Sequence, residues 1–141
     1  MEVVNQVMPN REQMAGFMAP DDGEAIFMVN LLKYKEKAEY DDGRETELTG
    51  REAYHLYTEG VVKCLAKVGG GITFNGRVRR LALGAVEDLW DDIAIAMYPS
   101  RTAMLEMLQL PEMQIIGEHR AAGLAGQLNI ETVGMDSFGS I

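Results

Sequence analysis

Two apolar stretches decide the fold of this chain: residues 25–32 (AIFMVNLL) and residues 93–98 (IAIAMY). A strand with one solvated face alternates apolar and polar side chains, whereas these stretches carry apolar groups at successive positions. Both faces of the predicted sheet therefore need cover. The helices of a chain of 141 residues can shield one face. The same sheet of a second copy is the expected shield of the other face, so the pattern predicts a homodimer.

Capping signals and glycines place the elements of the first half. Asn10 begins an Asn-x-x-Gln capping box that predicts a short N-terminal helix. Thr49 begins a Thr-x-x-Glu box, and the apolar residues beyond it recur at helical spacing. Three glycines at residues 69–71 end this long helix because glycine takes the left-handed conformation freely. The charged residues 33–48 lack a period and are predicted to form a surface loop.

In the second half, strands are predicted at residues 72–83 and 128–133. Ser100 is the expected N-cap of a third helix, and Pro111 begins a fourth that runs to about Gly126. The element order is a helix followed by β-α-β-β-α-β, which predicts an α+β, ferredoxin-like antiparallel sheet. We expect three segments: an N-terminal helical extension (1–24), the ferredoxin-like domain (25–133) and a flexible tail (134–141).

Composition limits the classes of partner. The net charge of −9 argues against nucleic acid and against anionic membrane surfaces, because both repel an acidic protein. The chain lacks a membrane-spanning apolar stretch and a signal-peptide pattern, so the cytoplasm is the expected compartment. Cys64, the sole cysteine, and two histidines form no metal-binding pattern, and residues 41–45 (DDGRE) lack the alternating ligands of a calcium loop. We therefore expect neither a metal nor another cofactor.

Several short motifs resemble one known family. They are MVNLLKYK (28–35), LYTEG (56–60), the glycine turn, MYPS (97–100) and HRAAGLAGQL (119–128). In order and spacing they resemble the uncharacterised family called domain of unknown function 1330 over about residues 10–133. The resemblance implies a dimeric α+β barrel, in which two ferredoxin-like sheets pack face to face. It leaves the activity open, because the wider fold includes cofactor-independent monooxygenases, isomerases and binding proteins. The positions that match the family pattern are Asn30, Tyr54, Tyr98, Pro99, Ser100 and Arg120.

Arg120 and Asn30 are the main candidates for ligand binding. Arg120 shares a helix face with apolar residues that should meet the sheet, so its guanidinium needs a partner. It is either structural, as an ion-pair member or through hydrogen bonds to backbone carbonyls, or a group that binds a carboxylate or enolate. Asn30 interrupts an apolar strand, and a buried amide must satisfy its donors and acceptor. It either holds a loop or the dimer interface or touches a ligand.

Three further residues are candidates with ordinary structural alternatives. Tyr54 and Tyr98 place phenols near the strand ends, either in the ligand site or as core residues with one hydrogen-bond partner. His119 is the candidate catalytic base, because imidazole titrates near neutrality.

Two functions remain open at this level. One is a cofactor-independent enzyme that carries out proton transfer or oxygenation in a cavity between sheet and helices. The other is a non-catalytic binding protein or a structural dimer.

Overall fold

The computed structural model describes residues 4–135. The elements follow in chain order: α1 (Arg11–Phe17), β1 (Ile26–Tyr34), α2 (Gly50–Lys67), β2 (Gly71–Arg77), β3 (Asp92–Tyr98), α3 (Arg101–Leu108), α4 (Pro111–Gly123) and β4 (Leu124–Val133). The four strands form one sheet in the order β2-β3-β1-β4, and every neighbouring pair is antiparallel. With α2 after β1 and the α3–α4 pair after β3, this is a ferredoxin-like α+β fold. The predicted fold class is confirmed.

The central strand β1 divides the molecule into two sides. Its residues Ile26, Met28 and Leu32 are buried against the helices. The intervening residues, Phe27 and Leu31 among them, point to the opposite face, where they are only partly buried. The core on the helix side is continued by side chains of β3, α2, α3 and α4, namely Ala96, Tyr98, Val61, Cys64, Leu65, Met104, Met107 and Met113.

The predicted helix starts are confirmed in detail. The side chains of Asn10 and Thr49 each accept a hydrogen bond from the N3 amide, and both capping boxes are complete. Ser100 caps α3 through Ala103, and Pro111 opens α4. Gly69, with φ of 81°, follows the end of α2 in the left-handed region. These caps fix where the helices begin above the sheet.

Two predicted strand boundaries were wrong. Strand β2 ends at Arg77 rather than at residue 83, because its partner β3 begins at Asp92, opposite Arg77. The Val78 amide still binds the Asp91 carbonyl at 2.9 Å, and the regular ladder does not extend past the Arg77–Asp92 pair. Helix α4 ends at Gly123, and β4 begins directly at Leu124 instead of residue 128. The amide of Lys35 binds the Gly123 carbonyl at 2.8 Å, so the change from helix to strand is fixed by the end of β1.

The composition of the charged segment after β1 predicts a surface loop, but the segment is partly buried. Ala38 and Tyr40 are buried and pack with Ala53 of α2 and Ala122 of α4 in a second small core. The amide of Glu39 also donates to the Ala122 carbonyl at 3.0 Å. The segment therefore covers the junction of α2 and α4 while its charged side chains remain outside.

The N-terminal residues are attached to the domain through polar contacts. Helix α1 contributes no buried residue. Arg101 donates to the backbone carbonyls of Ala19 and Pro20 at 3.1 and 2.6 Å. The hydroxyl and amide of Thr102 bind Asp21 and hold the pKa of that carboxyl at about 2.

The flexible tail predicted for residues 134–141 lies, beyond residue 135, outside the described residues, and the three-segment division stays a prediction. Among the helices of residues 4–135, none is both long and apolar enough to cross a membrane.

Helices α2 and α4 approach each other closely at two glycines. A Cβ at Gly123 would lie against the Gly50 carbonyl oxygen and 3.0 Å from the Tyr54 amide. A Cβ at Gly117, one and a half turns earlier on α4, would meet nothing within 4 Å. Of these two α4 positions, Gly123 therefore requires glycine for packing and Gly117 does not.

We expect Gly123→Ala to lower the free energy of unfolding by roughly 1–3 kcal/mol, because two backbones would have to separate. Gly117→Ala is the matched control and should be neutral or stabilising by up to about 1 kcal/mol, since alanine favours helix. Chemical denaturation of both variants measures the difference. Equal stability of the two variants would contradict this packing.

Candidate functional site

A cavity of about 660 Å³ lies between the sheet and the helices. Its floor is formed by alternate residues of all four strands, those whose side chains point toward the helices. Residues of α2, α3 and α4 form its walls, and residues 7–9 with Met14 and Phe17 of α1 lie over it. The predicted site residues Asn30, Tyr54, Tyr98 and Arg120 all line this cavity.

A chain of hydrogen bonds joins Arg120 to the centre of the sheet. Arg120 donates through Nη2 to Oε1 of Gln127, which is 7% exposed. Gln127 Nε2 donates to Asn30 Oδ1 at 2.7 Å. Asn30 Nδ2 in turn reaches the carbonyl oxygens of Met28 at 3.0 Å and Ala94 at 3.3 Å. Asn30 is thus satisfied by the protein, and its amide fixes Gln127, which positions the guanidinium.

The Arg120 guanidinium has no carboxylate partner within residues 4–135. The structural ion pair considered for this residue is therefore not formed in the described part of the chain. Its acceptor is instead a neutral amide, which leaves the positive charge uncompensated beside the cavity. A guanidinium binds a carboxylate through two parallel hydrogen bonds, so the free donors suit an anionic group.

A second polar cluster lines the cavity on the side of Leu32 that faces away from Gln127. Asp92 accepts hydrogen bonds at Oδ2 from the Tyr34 hydroxyl at 2.7 Å and from Arg51 at 2.6 Å. The Arg51 guanidinium also lies 4.7 Å from the centre of the Tyr34 ring. The other carboxylate oxygen, Oδ1, is buried without a partner in the described residues. The charges of Arg51 and Asp92 offset each other, so this cluster adds donors without a net charge.

Three tyrosine hydroxyls lack a hydrogen-bond partner among residues 4–135: those of Tyr54, Tyr57 and Tyr98. All three side chains line the cavity, and the rings of Tyr54 and Tyr57 pack with centroids 5.3 Å apart. Burial raises the pKa of each phenol above its usual range. The three groups therefore stay protonated at neutral pH and offer hydrogen bonds to whatever occupies the cavity.

His119, the candidate catalytic base, is not brought into the cavity. Its Nδ1 lies 2.7 Å from the Tyr40 hydroxyl, on the side of α4 that faces the segment after β1. His55 does line the cavity, but its side chain is 72% exposed beside Glu59. Within residues 4–135, no three His, Cys, Asp or Glu side chains come together in a way that could hold a metal ion.

Sequence reasoning missed Gln127, Tyr57, Arg51 and Asp92 as parts of the site. Gln127 stood within the quoted motif HRAAGLAGQL, and only the early start of β4 places it opposite Leu32. Asp92 is the first residue of β3, and its partner Arg51 comes from α2. The acids Asp88 and Asp91 pair with Lys33. Strand register and helix placement, which a single sequence does not specify, decide these partners.

Two solved structures match nearly the whole chain. That of the methylated RPA0582 protein is 31% identical over 95% of this chain and 98% of its own, with a TM-score of 0.85. A structure of RPA0582 described as a protein of unknown function from Rhodopseudomonas palustris is 28% identical over 94% and 99% of the two chains, with a TM-score of 0.84. The Arabidopsis thaliana protein At3g17210 is 11% identical over 79% and 96%, with a TM-score of 0.52, and shares the fold. No family model and no curated protein matches the chain.

Alkaline titration tests the environment of the phenols. All five tyrosines have raised pKa values, with burial as the largest cause. The unfolded chain loses these protons near pH 10 while the folded chain keeps them, so the free energy of unfolding should fall as pH rises above about 10. Tyrosinate absorbance should therefore appear together with the loss of circular dichroism. A tyrosinate signal near pH 10 in the intact fold would contradict this description.

Proposed function

We propose that this chain, which belongs to the family of the RPA0582 protein of Rhodopseudomonas palustris, binds a small organic molecule in the cavity between its sheet and its helices. The observation that carries the proposal is the uncompensated Arg120, held by Gln127 and Asn30 at the cavity wall. A guanidinium that stands at a cavity wall without a carboxylate partner is suited to bind an anionic ligand group. The finer resemblance, to domain of unknown function 1330, stays a prediction.

The charges around the cavity support an anionic ligand group. The charged side chains that line it are three arginines, Arg51, Arg77 and Arg120, and one carboxylate, Asp92. This local excess of positive charge occurs in a chain whose net charge is −9. The unpartnered phenols of Tyr54, Tyr57 and Tyr98 are also donors. A ligand that accepts hydrogen bonds and carries negative charge would complement both sets.

Binding has more support than proton transfer. Abstraction of a substrate proton needs a base within hydrogen-bond reach of the substrate. His119 lies outside the cavity, and the free oxygen of Asp92 is fully buried. His55 lines the cavity, but its side chain is largely exposed and lies beside Glu59. The tyrosines, protonated at neutral pH, do not serve as bases there. We therefore propose a binding protein, and the cofactor-independent enzyme remains the second hypothesis.

A cavity-filling variant tests the proposal. Ala94 lines the cavity floor beside Asn30, so Ala94→Phe should occupy the ligand space. Ala82→Phe is the matched control, because Ala82 is exposed and lies outside the cavity. We expect carboxylate and ketone fragments, titrated in heteronuclear NMR, to shift the side-chain amide signals of Asn30 and Gln127 in wild type and control only. Equal shifts in Ala94→Phe, or shifts scattered over the surface, would contradict binding in the cavity.

We also propose that the protein assembles as a homodimer through the sheet face that the helices leave open. That face carries apolar residues on every strand: Phe27, Val29, Leu31, Phe74, Ile93, Ile95, Met97, Leu128 and Ile130. Phe74 is 54% and Ile130 is 45% exposed. An apolar patch that spans four strands is larger than the scattered apolar groups of a monomer surface, and a second copy of the sheet matches it in shape and chemistry.

A charge introduced on this face should break the dimer. We expect wild type to be a dimer at micromolar concentration, with an interface above the ~1,600 Å² of an average complex. Ile130→Lys should produce monomers, because it places a charge in the apolar interface. Ile115→Lys is the control, since Ile115 is 69% exposed on α4. Light scattering of the three proteins measures the mass. A wild-type protein that is monomeric at micromolar concentration and still unfolds cooperatively would contradict the proposed dimer.

A further inference from the structure

The floor of the cavity changes from polar to apolar along the strands. We call a set of residues that lie opposite one another across the sheet a rung. Among the rungs that face the helices, two neighbouring ones are rich in polar side chains, and we term them the polar end. One contains Arg77, Asp92, Leu32 and Gln127, and the next contains Asn75, Ala94, Asn30 and Asn129. In the following rung the cavity is lined by Ile72, Ala96 and Met28. Glu131, the β4 residue of that rung, does not line the cavity.

The walls follow the same division. Beyond the polar end, the lining side chains of α2, α3 and α4 are almost all apolar, and we term this region the apolar end. Its wall residues are Val61, Leu65, Met104, Leu105, Met107, Leu108 and Met113. Several are methionines, whose flexible thioether side chains adapt to an occupant of variable shape. Tyr98 contributes a hydroxyl at this end, and Tyr57 packs against the same group of residues.

The cavity is also long. Along β3 it is lined from Asp92 at the polar end to Tyr98 at the other. Six residues of strand at ~3.3 Å each span about 20 Å. A compact acid that satisfies Arg120 would fill only the polar end and leave the apolar length facing water.

The N-terminal segment lies over this length. Gln6 forms a β-bridge with Gln127 at the polar end, and Arg101 at the start of α3 binds the carbonyl of Gly16 at 3.3 Å. Between these attachments, Met8 and Met14 line the cavity although they are 68% and 43% exposed. Apolar side chains that line a cavity yet remain this exposed are only partly covered by the described chain. An apolar chain beneath them would supply the missing contacts.

We propose that the ligand is an amphipathic carboxylic acid, with its carboxylate on Arg120 and a flexible acyl chain extending through the apolar end beneath α1. This inference rests on the proposed function and adds the class and orientation of the ligand. The guanidinium supplies two parallel hydrogen bonds to the carboxylate. The burial of the acyl chain supplies affinity that grows with each methylene group.

Titration calorimetry with decanoate, decanol and hexanoate tests the class. Decanoate should bind wild type about tenfold or more tightly than decanol, because a charge-assisted hydrogen bond is lost in the alcohol. It should also bind more tightly than hexanoate, which has a shorter chain. Arg120→Gln should remove the preference for the acid. Arg79→Gln, which removes an exposed arginine outside the cavity, should keep it.

Photochemical labelling tests the orientation. Decanoate with a diazirine on its terminal carbon should, after irradiation and digestion, label peptides that contain Met14, Phe17 or Leu108. Labelling next to Arg77 and Asn75 would overturn the orientation, and equal binding of decanoate and decanol would overturn the carboxylate assignment. In either case, shifts confined to Asn30 and Gln127 with fragments would leave the proposed function intact. Loss of both the fragment shifts and decanoate binding would overturn the two proposals together.

Discussion

The partly buried amide of Asn30 is the constraint on which the site depends. It stands in the central strand, on the face covered by helices, where an unpaired amide would cost about 1–3 kcal/mol. Two backbone carbonyls and Gln127 satisfy it. Because Gln127 must turn its Nε2 toward Asn30, its Oε1 faces away and accepts from Arg120. One polar residue in an apolar strand thus orients the guanidinium at the cavity wall, and it does so without a carboxylate that would neutralise the charge.

Uneven packing of the helices explains how a chain of this size can hold an open cavity. The helices are separated from the sheet over part of its length, and their approach to one another is fixed elsewhere, at the contact of Gly50 with Gly123. The segment after β1 packs onto that contact through Ala38 and Tyr40. Packing is therefore dense where α2 meets α4 and loose above the centre of the sheet. A rigid frame around a poorly filled space is the usual architecture of a small-molecule site.

Local signals in the sequence predicted the fold well. The capping residues Asn10, Thr49 and Ser100 mark helix starts that the structure confirms, because a cap is formed by residues three apart. The strand ends were less predictable, since β2 stops where its partner β3 begins and β4 starts where Lys35 binds Gly123. The site divides in the same way. Asn30 and Arg120 were found because each is polar in an apolar pattern. Gln127 and Asp92 depend on register, which the pattern does not specify, and His119 was misplaced because it lies at the edge of the apolar face of α4.

The central claim is that the cavity holds an organic acid through Arg120. Native mass spectrometry of gently purified protein tests it most directly, with denaturation in a second step to release and identify whatever was bound. We expect wild type to carry an acidic organic compound and Ala94→Phe, whose cavity is filled, to carry none. Equal recovery of the same compounds from both proteins, or recovery of neutral compounds alone from wild type, would contradict it.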